Sequence, residues 1–269
     1  MSPGAQRLRW ARDALRFHCP HASGDVFADG HDSVNRIPLH RLFLVPRSSP
    51  ADGGRVEDTV ARTSLPLPPG SILLLPADRP YRFVFARGLH LVGFHFRIEV
   101  VPGHDILGAA VRWQRTADPA AADAAWTASQ GRGLADWLGL EAVLYGQIAR
   151  LVEVPWDAVE RAATAQRRWG AAMAELERLG ARRAVAACAT RQGLTREGFS
   201  RAFRRDLGVS PSAWLSNRLA DRASEILRYT DRTLDDIAAE LGFADGFAVS
   251  RLLKRVTGRR PTELRARQA

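Results

Sequence analysis

Apolar and polar positions change their period once along this chain, near Gly133. Between about residues 35 and 97, short apolar runs are broken by turn residues, the pattern of strands in an antiparallel sandwich or barrel. Arg41 to Val45, Ser71 to Leu75, Tyr81 to Phe85 and Leu89 to Arg97 are predicted strands, with Pro69-Gly70, the stretch 76–80 and Arg87-Gly88 as turns. From Gly133 the period is helical, with Leu134, Leu138, Leu144, Ile148 and Leu151 near one stripe, and Pro155 ends that helix. The stripe must pack on the barrel or on the same helix of a second subunit. After Trp156 everything reads as helix, with a hinge expected between Val154 and Gln166.

The helical part repeats itself at an offset of about 50 residues. Ser200-Arg201, Arg204-Arg205, Gly208 and Pro211 return as Ser250-Arg251, Lys254-Arg255, Gly258 and Pro261; upstream, Ala189 and Gly193 return as Ala238 and Gly242. In the first copy a helix from Ala184 to Gln192 stops at Gly193, and Thr195 caps a second helix that buries Phe199, Ala202, Phe203 and Leu207. In the second, Thr233 and Asp236 have capping-box spacing, Gly242 stops the helix, and Asp245 caps the next, which buries Val249, Leu252, Leu253 and Val256. Two short helices joined by a tight turn make a helix-turn-helix, whose second helix enters the major groove. Ser210-Pro211 open a connecting helix to about Tyr229. At about 1.5 Å per residue it spans about 28 Å, near the distance of about 34 Å between successive major-groove faces.

Charge sharpens this picture. The chain carries 39 Lys and Arg against 29 Asp and Glu, net +10, and Lys254 is its one lysine. Residues 175–269 hold 19 basic against 12 acidic side chains, so the excess concentrates where the repeat lies. Nucleic acid is the natural partner of such a surface. At 269 residues, 46% hydrophobic and 25% charged, the chain has the size of two globular domains. Two cysteines, Cys19 and Cys188, exclude a disulfide framework. An arginine-rich start (Arg7, Arg9, Arg12, Arg16) without an apolar run, and the lack of a membrane-length segment, point to a cytoplasmic protein with no membrane partner.

The C-terminal part, from about residue 167, resembles the AraC/XylS family of transcription regulators, most densely from Leu234 to Leu264, where IAAELGFADGFAVSRLLKRVTGRRPTELR stands. The resemblance implies seven helices, with recognition helices at about 196–206 and 246–256. Carried over by position, Glu197, Ser200 and Arg201 read bases in the first, with Arg204 nearer the phosphates; Gly246, Phe247, Ser250 and Arg251 correspond in the second, with Lys254 near the backbone. Gly246 and Phe247 depart from the family's usual polar pair, and an outward Phe reads thymine methyls rather than hydrogen-bonding edges.

The family often carries a cupin-like barrel ahead of the DNA-binding part, and LPLPPGSILLLPADRPYRF at Leu65–Phe83 looks like its strand-turn-strand. The expected fold is therefore α+β in two domains. Residues 1–165 form a cupin-like antiparallel β-barrel for effector binding and dimerisation, with helices at 133–154; residues 166–269 form an all-α double helix-turn-helix. Arg36, Tyr81 and Arg82 are the candidate effector-binding residues. His40, His90 and His95 are too scattered for a metal set, and His18, Cys19 and His21 read better as an N-terminal arm than as a zinc site, so neither metal nor cofactor is expected. The predicted function is a DNA-binding activator, not an enzyme, modulated by a small molecule, with promoter DNA, RNA polymerase and a second copy of the chain as partners. The alternatives are a cupin-type enzyme with an accessory helical domain, which wants an intact metal set, and a non-specific nucleic-acid-binding protein, which wants basic residues without matched recognition helices.

Overall fold

The computed structural model describes residues 14–154, 156–179 and 184–265. Arg7, Arg9, Arg12 and Pro155 lie outside the described residues. The chain divides into two compact units, one of residues 18–97 and 107–154, the other of the segment 98–106 together with the helices from Trp156 onward. Among the described residues no helix is long and apolar enough to cross a membrane.

The strands form two antiparallel sheets. One pairs β2 (His31–Asn35), β7 (Tyr81–Phe85), β4 (Gly54–Asp58) and β5 (Thr63–Pro66) in that order. The other runs β1 (Arg16–Phe27), β8 (Leu89–Val101), β3 (His40–Leu44), β6 (Ser71–Leu75), β10 (Gln114–Ala117), with the short β9 (His104–Asp105) beside β8. Strand alternation aims Tyr81, Phe83 and Phe85 of one sheet at Phe43, Leu73 and Leu75 of the other, and all are buried. Each such side chain removed from water contributes about 1.5–3 kcal/mol.

The expected closed barrel is not formed. The sheet edges are not paired with each other, and rings fill the space between the faces, Phe43 meeting Phe83 edge-on at 5.8 Å. Sheets packed face to face lie about 10 Å apart, twice the separation a backbone hydrogen bond needs. The fold is an α+β one with antiparallel sheets; the cupin assignment is not established by it.

The expected N-terminal arm at His18–His21 is part of β1, where Cys19 Sγ donates to His21 O at 3.2 Å and the His21 ring lies 4.5 Å from that of His95. Helix α1 (Pro119–Gln130), capped by Asp118, packs against α2 (Leu134–Leu151). The apolar stripe of α2 splits: Leu144 and Ile148 are buried, whereas Leu134, Leu138 and neighbouring Trp137 and Tyr145 are exposed.

In the second unit α3 (Trp156–Leu179) is one uninterrupted helix. Ala165, Trp169, Ala172, Met173 and Leu176 belong to the same core as the helices that follow. These are α4 (Ala184–Arg191), α5 (Arg196–Leu207), α6 (Pro211–Tyr229), α7 (Leu234–Leu241), α8 (Gly246–Thr257) and α9 (Pro261–Arg265). The segment 98–106 contributes Val101 to this core and Pro102 O as acceptor for Trp214 Nε1 at 2.6 Å.

Candidate nucleic-acid interface

Two copies of one backbone construction position the reading helices. After α4 the chain turns at Gly193 (φ +66°), with Leu194 N bonded to Ala189 O at 3.0 Å; after α7 it turns at Gly242 (φ +76°), with Phe243 N bonded to Ala238 O at 2.9 Å. A positive φ is costly for any side chain with a Cβ, so glycine ends both helices. Thr195 Oγ1 then accepts from Gly198 N at 3.0 Å to start α5, and Asp245 Oδ1 accepts from Ala248 N at 2.8 Å to start α8. Thr233 and Asp236 cap α7 reciprocally, and Ser210 caps α6 with Pro211 in its first turn.

Buried stripes fix which faces point outward. Phe199, Phe203 and Leu207 turn α5 inward and leave Glu197, Arg201 and Arg204 exposed with Ser200 half-buried. Val249, Leu252, Leu253 and Val256 do the same for α8, leaving Phe247 77% exposed, Arg251 and Lys254 exposed and Ser250 half-buried. Eight of the nine predicted DNA-contacting residues thus lie along two matching outward stripes. Gly246 does not. It is buried, a Cβ there would sit 2.8 Å from the Leu234 Cβ, and its N–H donates to Asp235 Oδ1 at 2.8 Å. Gly246 allows α7 and α8 to approach, and a side chain at that position would meet Leu234 rather than the outward face.

A family model for a helix-turn-helix domain matches residues 188–267. The C-terminal unit is an AraC-type helix-turn-helix domain. The chain is a DNA-binding transcription regulator. No curated protein sequence matches it. Among solved structures, ToxT from Vibrio cholerae is similar over 93% of this chain and 97% of its own, at 12% identity and a TM-score of 0.53. ToxT with an unsaturated fatty acid bound is similar over 92% and 94%, at 11% identity and 0.50. A regulator from Chromobacterium violaceum with an AraC-type DNA-binding domain is similar over 40% of this chain and 96% of its own, at 25% identity and 0.36. The ToxT likeness is one of fold.

Electrostatics sorts the cations of the AraC-type domain into two groups. Arg168 and Arg205 pair with Asp206, Arg191 with Glu175, Arg218 with Glu177, and Arg222 and Arg232 with Glu240. Burial alone would raise the Asp206 carboxyl, but hydrogen bonds from Arg205 and Trp169 and the charge of Arg168 hold it below the usual carboxylate range. Arg196, Arg201, Arg204, Arg251, Lys254 and Arg255, all on or beside the reading helices, have no carboxylate partner among the described residues. Much of the unneutralised charge therefore lies along α5 and α8, where a polyanion would meet it, while Arg260 and Arg265 at α9 also lack a carboxylate partner among the described residues.

Arg196 and Arg255 were not among the candidate DNA contacts read from the sequence, although the second stands in the repeat beside Lys254. In the β unit, the three candidate effector residues are not brought together. Arg36 is exposed; Arg82 points outward and pairs with Asp32 at 2.7 Å; Tyr81 points inward, its hydroxyl donating to Pro76 O at 3.2 Å. The interior instead holds a cation that sequence reasoning passed over. Arg41 is 1% exposed; its Nη2 donates to Asn35 Oδ1 at 2.5 Å and its guanidinium lies 5.4 Å from the Tyr81 ring and 5.2 Å from the Phe83 ring. Its Nη1 has no hydrogen-bond partner among the described residues. Burial pushes its pKa down to about 10, so it stays charged at neutral pH. The signal for it is one arginine inside the apolar run of β3. No group of three or more potential metal-ligating side chains is found among the described residues.

Proposed function

We propose that this regulator reads a promoter with α5 and α8 in successive major grooves and acts as an activator in the cytoplasm. Glu197, Ser200 and Arg201 take base edges in one groove with Arg204 on the phosphates; Phe247, Ser250 and Arg251 take the other with Lys254 on the backbone. The observation that carries this reading is the pair of matching outward stripes whose cations lack carboxylate partners. Titrating the full chain with duplex DNA at several salt concentrations tests it, the affinity being expected to fall steeply as bound counterions are released. Absence of binding at low salt overturns it. RNA polymerase is the further partner of an activator, and a second copy on the exposed Leu134, Trp137 and Leu138 face of α2 is the dimer contact; a monomer at high concentration in sedimentation would reject that dimer.

The effector in this reading is a small carboxylate with an apolar body, held in the β unit by Arg41. A buried guanidinium with one nitrogen unbonded and aromatic rings around it favours an anionic acceptor, since leaving a buried charged group unsatisfied costs several kcal/mol. ToxT, which is similar in fold, has been solved with an unsaturated fatty acid bound. Decanoate should raise the melting temperature of the full chain and methyl decanoate should not. Arg41→Met should abolish the shift while folding at least as stably as the parent; an unchanged decanoate response in that variant rejects the assignment.

A further inference from the structure

Between the two helix-turn-helix units lies a cleft of about 590 Å³. It is lined by Arg196 from the first turn of α5, Arg251 and Arg255 from α8, Ser212 and Ser216 of α6, and apolar side chains that include Leu215. Among the described residues no acidic side chain lines it. None of the three arginines has a carboxylate partner among the described residues, and the one hydrogen bond of Arg255 is a long one, 3.4 Å, to Ser216 Oγ. Three cations on one cleft without counter-charge raise its positive potential, which favours an anion there.

The position of the cleft says which anion. Arg251 belongs both to the outward stripe of α8 and to the cleft wall, so the cleft opens on the face that meets DNA. When two helices occupy successive major grooves on one side of a duplex, the surface between them faces the intervening minor groove and the two sugar-phosphate strands that border it. Arginine and serine donors suit phosphodiester oxygens. We propose that Arg196 and Arg255, with Ser212 and Ser216, form a phosphate-binding cleft that grips the DNA backbone between the two half-sites. This rests on the DNA-binding reading above and adds a role of its own: the grip fixes the spacing at which the two reading helices act together. Arg196 and Arg255 contribute affinity without sequence preference, unlike Arg201 and Arg251.

The test uses the full chain and a duplex carrying a site selected from a random library. Arg196→Ala and Arg255→Ala should each lower the magnitude of the slope of log affinity against log salt by about 0.9 for every phosphate no longer neutralised, equally on selected and random DNA. Arg178→Ala, which removes an arginine paired with Glu175 away from the cleft, should leave the slope unchanged. Neutral methylphosphonate linkages between the half-sites should weaken the parent chain and leave the Arg196→Ala/Arg255→Ala double variant unaffected. Circular dichroism confirms that the variants fold, and the neutral linkages probe the folded parent without any substitution. A parent that binds but loses nothing to neutral linkages, or variants that keep the parental slope, overturn the cleft alone. A parent that binds no duplex overturns the underlying reading as well.

Discussion

The two helix-turn-helix units share their backbone and differ in what fills them. Both stop their first helix at a left-handed glycine and their second at another, Gly208 and Gly258, each with φ +74°. Inside, the first unit is packed by rings: Trp169 meets Phe199 edge-on at 5.5 Å and Phe203 at 5.4 Å, and Phe203 lies 6.2 Å from Trp214. The second is packed by Val249, Leu252, Leu253 and Val256, with Gly246 letting its two helices close. What the repeat keeps is the set of helix stops and the outward cations. The filling is free to vary so long as volume is conserved.

The largest effects should come from the cores. Phe203→Ala removes a ring from the aromatic cluster and should cost about 3–5 kcal/mol, whereas Leu253→Ala in the aliphatic unit should cost about 2–5 kcal/mol, nearer the lower end because smaller neighbours relax more readily. Chemical denaturation followed by tryptophan fluorescence measures both, and a larger loss for Leu253→Ala would break the comparison. Next comes the glycine difference. Gly246→Ala forces a Cβ to within 2.8 Å of Leu234 Cβ and 3.0 Å of Asp235 Oδ1 and should cost about 1–3 kcal/mol. Gly198→Ala in α5 meets only the Thr195 hydroxyl, at 3.1 Å, and gains helix propensity of up to about 1 kcal/mol, so it should be near neutral. Equal losses at the two glycines would show that packing does not distinguish the units.

Base reading should differ as well. The first helix offers Glu197, Ser200 and Arg201, and the second offers Phe247, Ser250 and Arg251 with no side chain at Gly246. Arg201→Ala should reduce discrimination by about 1–3 kcal/mol at one base pair, and Phe247→Ala should relax a preference for thymine, both read by selection from a random library. The parent's half-site for α5 should carry more sequence information than that for α8. Equal information in the two halves would contradict this.

The repeat was legible in the sequence because its marks act locally. A glycine after a helix, a Thr or Asp before one and a Pro in a first turn do their work within four residues, so the starts of α5, α7 and α8 were placed correctly. What was not legible depends on distances between elements. Gly246 reads as a lost side chain until Leu234 is found 2.8 Å from its missing Cβ. The cleft needs Arg196, Ser216 and Arg255 from three helices, and no spacing in the chain brings them together. Alternation along β3 can point Arg41 inward but cannot tell that Asn35 accepts from Nη2 while Nη1 finds no hydrogen-bond partner among the described residues. Two open sheets differ from a barrel only in pairing between edge strands far apart in sequence.

The smallest expected effect concerns acid. In the second unit the Asp236 carboxylate accepts from Thr233 Oγ1 at 2.6 Å and Thr233 N at 2.9 Å, and these bonds, the side-chain one first, hold its pKa below the ordinary value of 3.8. A carboxyl depressed in the folded state binds fewer protons there than in the unfolded chain. Its contribution is therefore present above the unfolded value and is lost as pH falls through the folded one. In the first unit the depressed carboxyl is Asp206, which ties α5 to Trp169 and caps no helix, while the cap of α5, Thr195, does not titrate. Hydrogen-exchange protection of the first turn of α7 should therefore fall as pH is lowered from about 5 to about 2, while the first turn of α5 keeps its cap. Asp236→Asn should flatten the response of α7, because an amide side chain cannot titrate. A parallel loss in both first turns, or an undiminished response in Asp236→Asn, would place the acid sensitivity elsewhere and remove the cap as a difference between the two units.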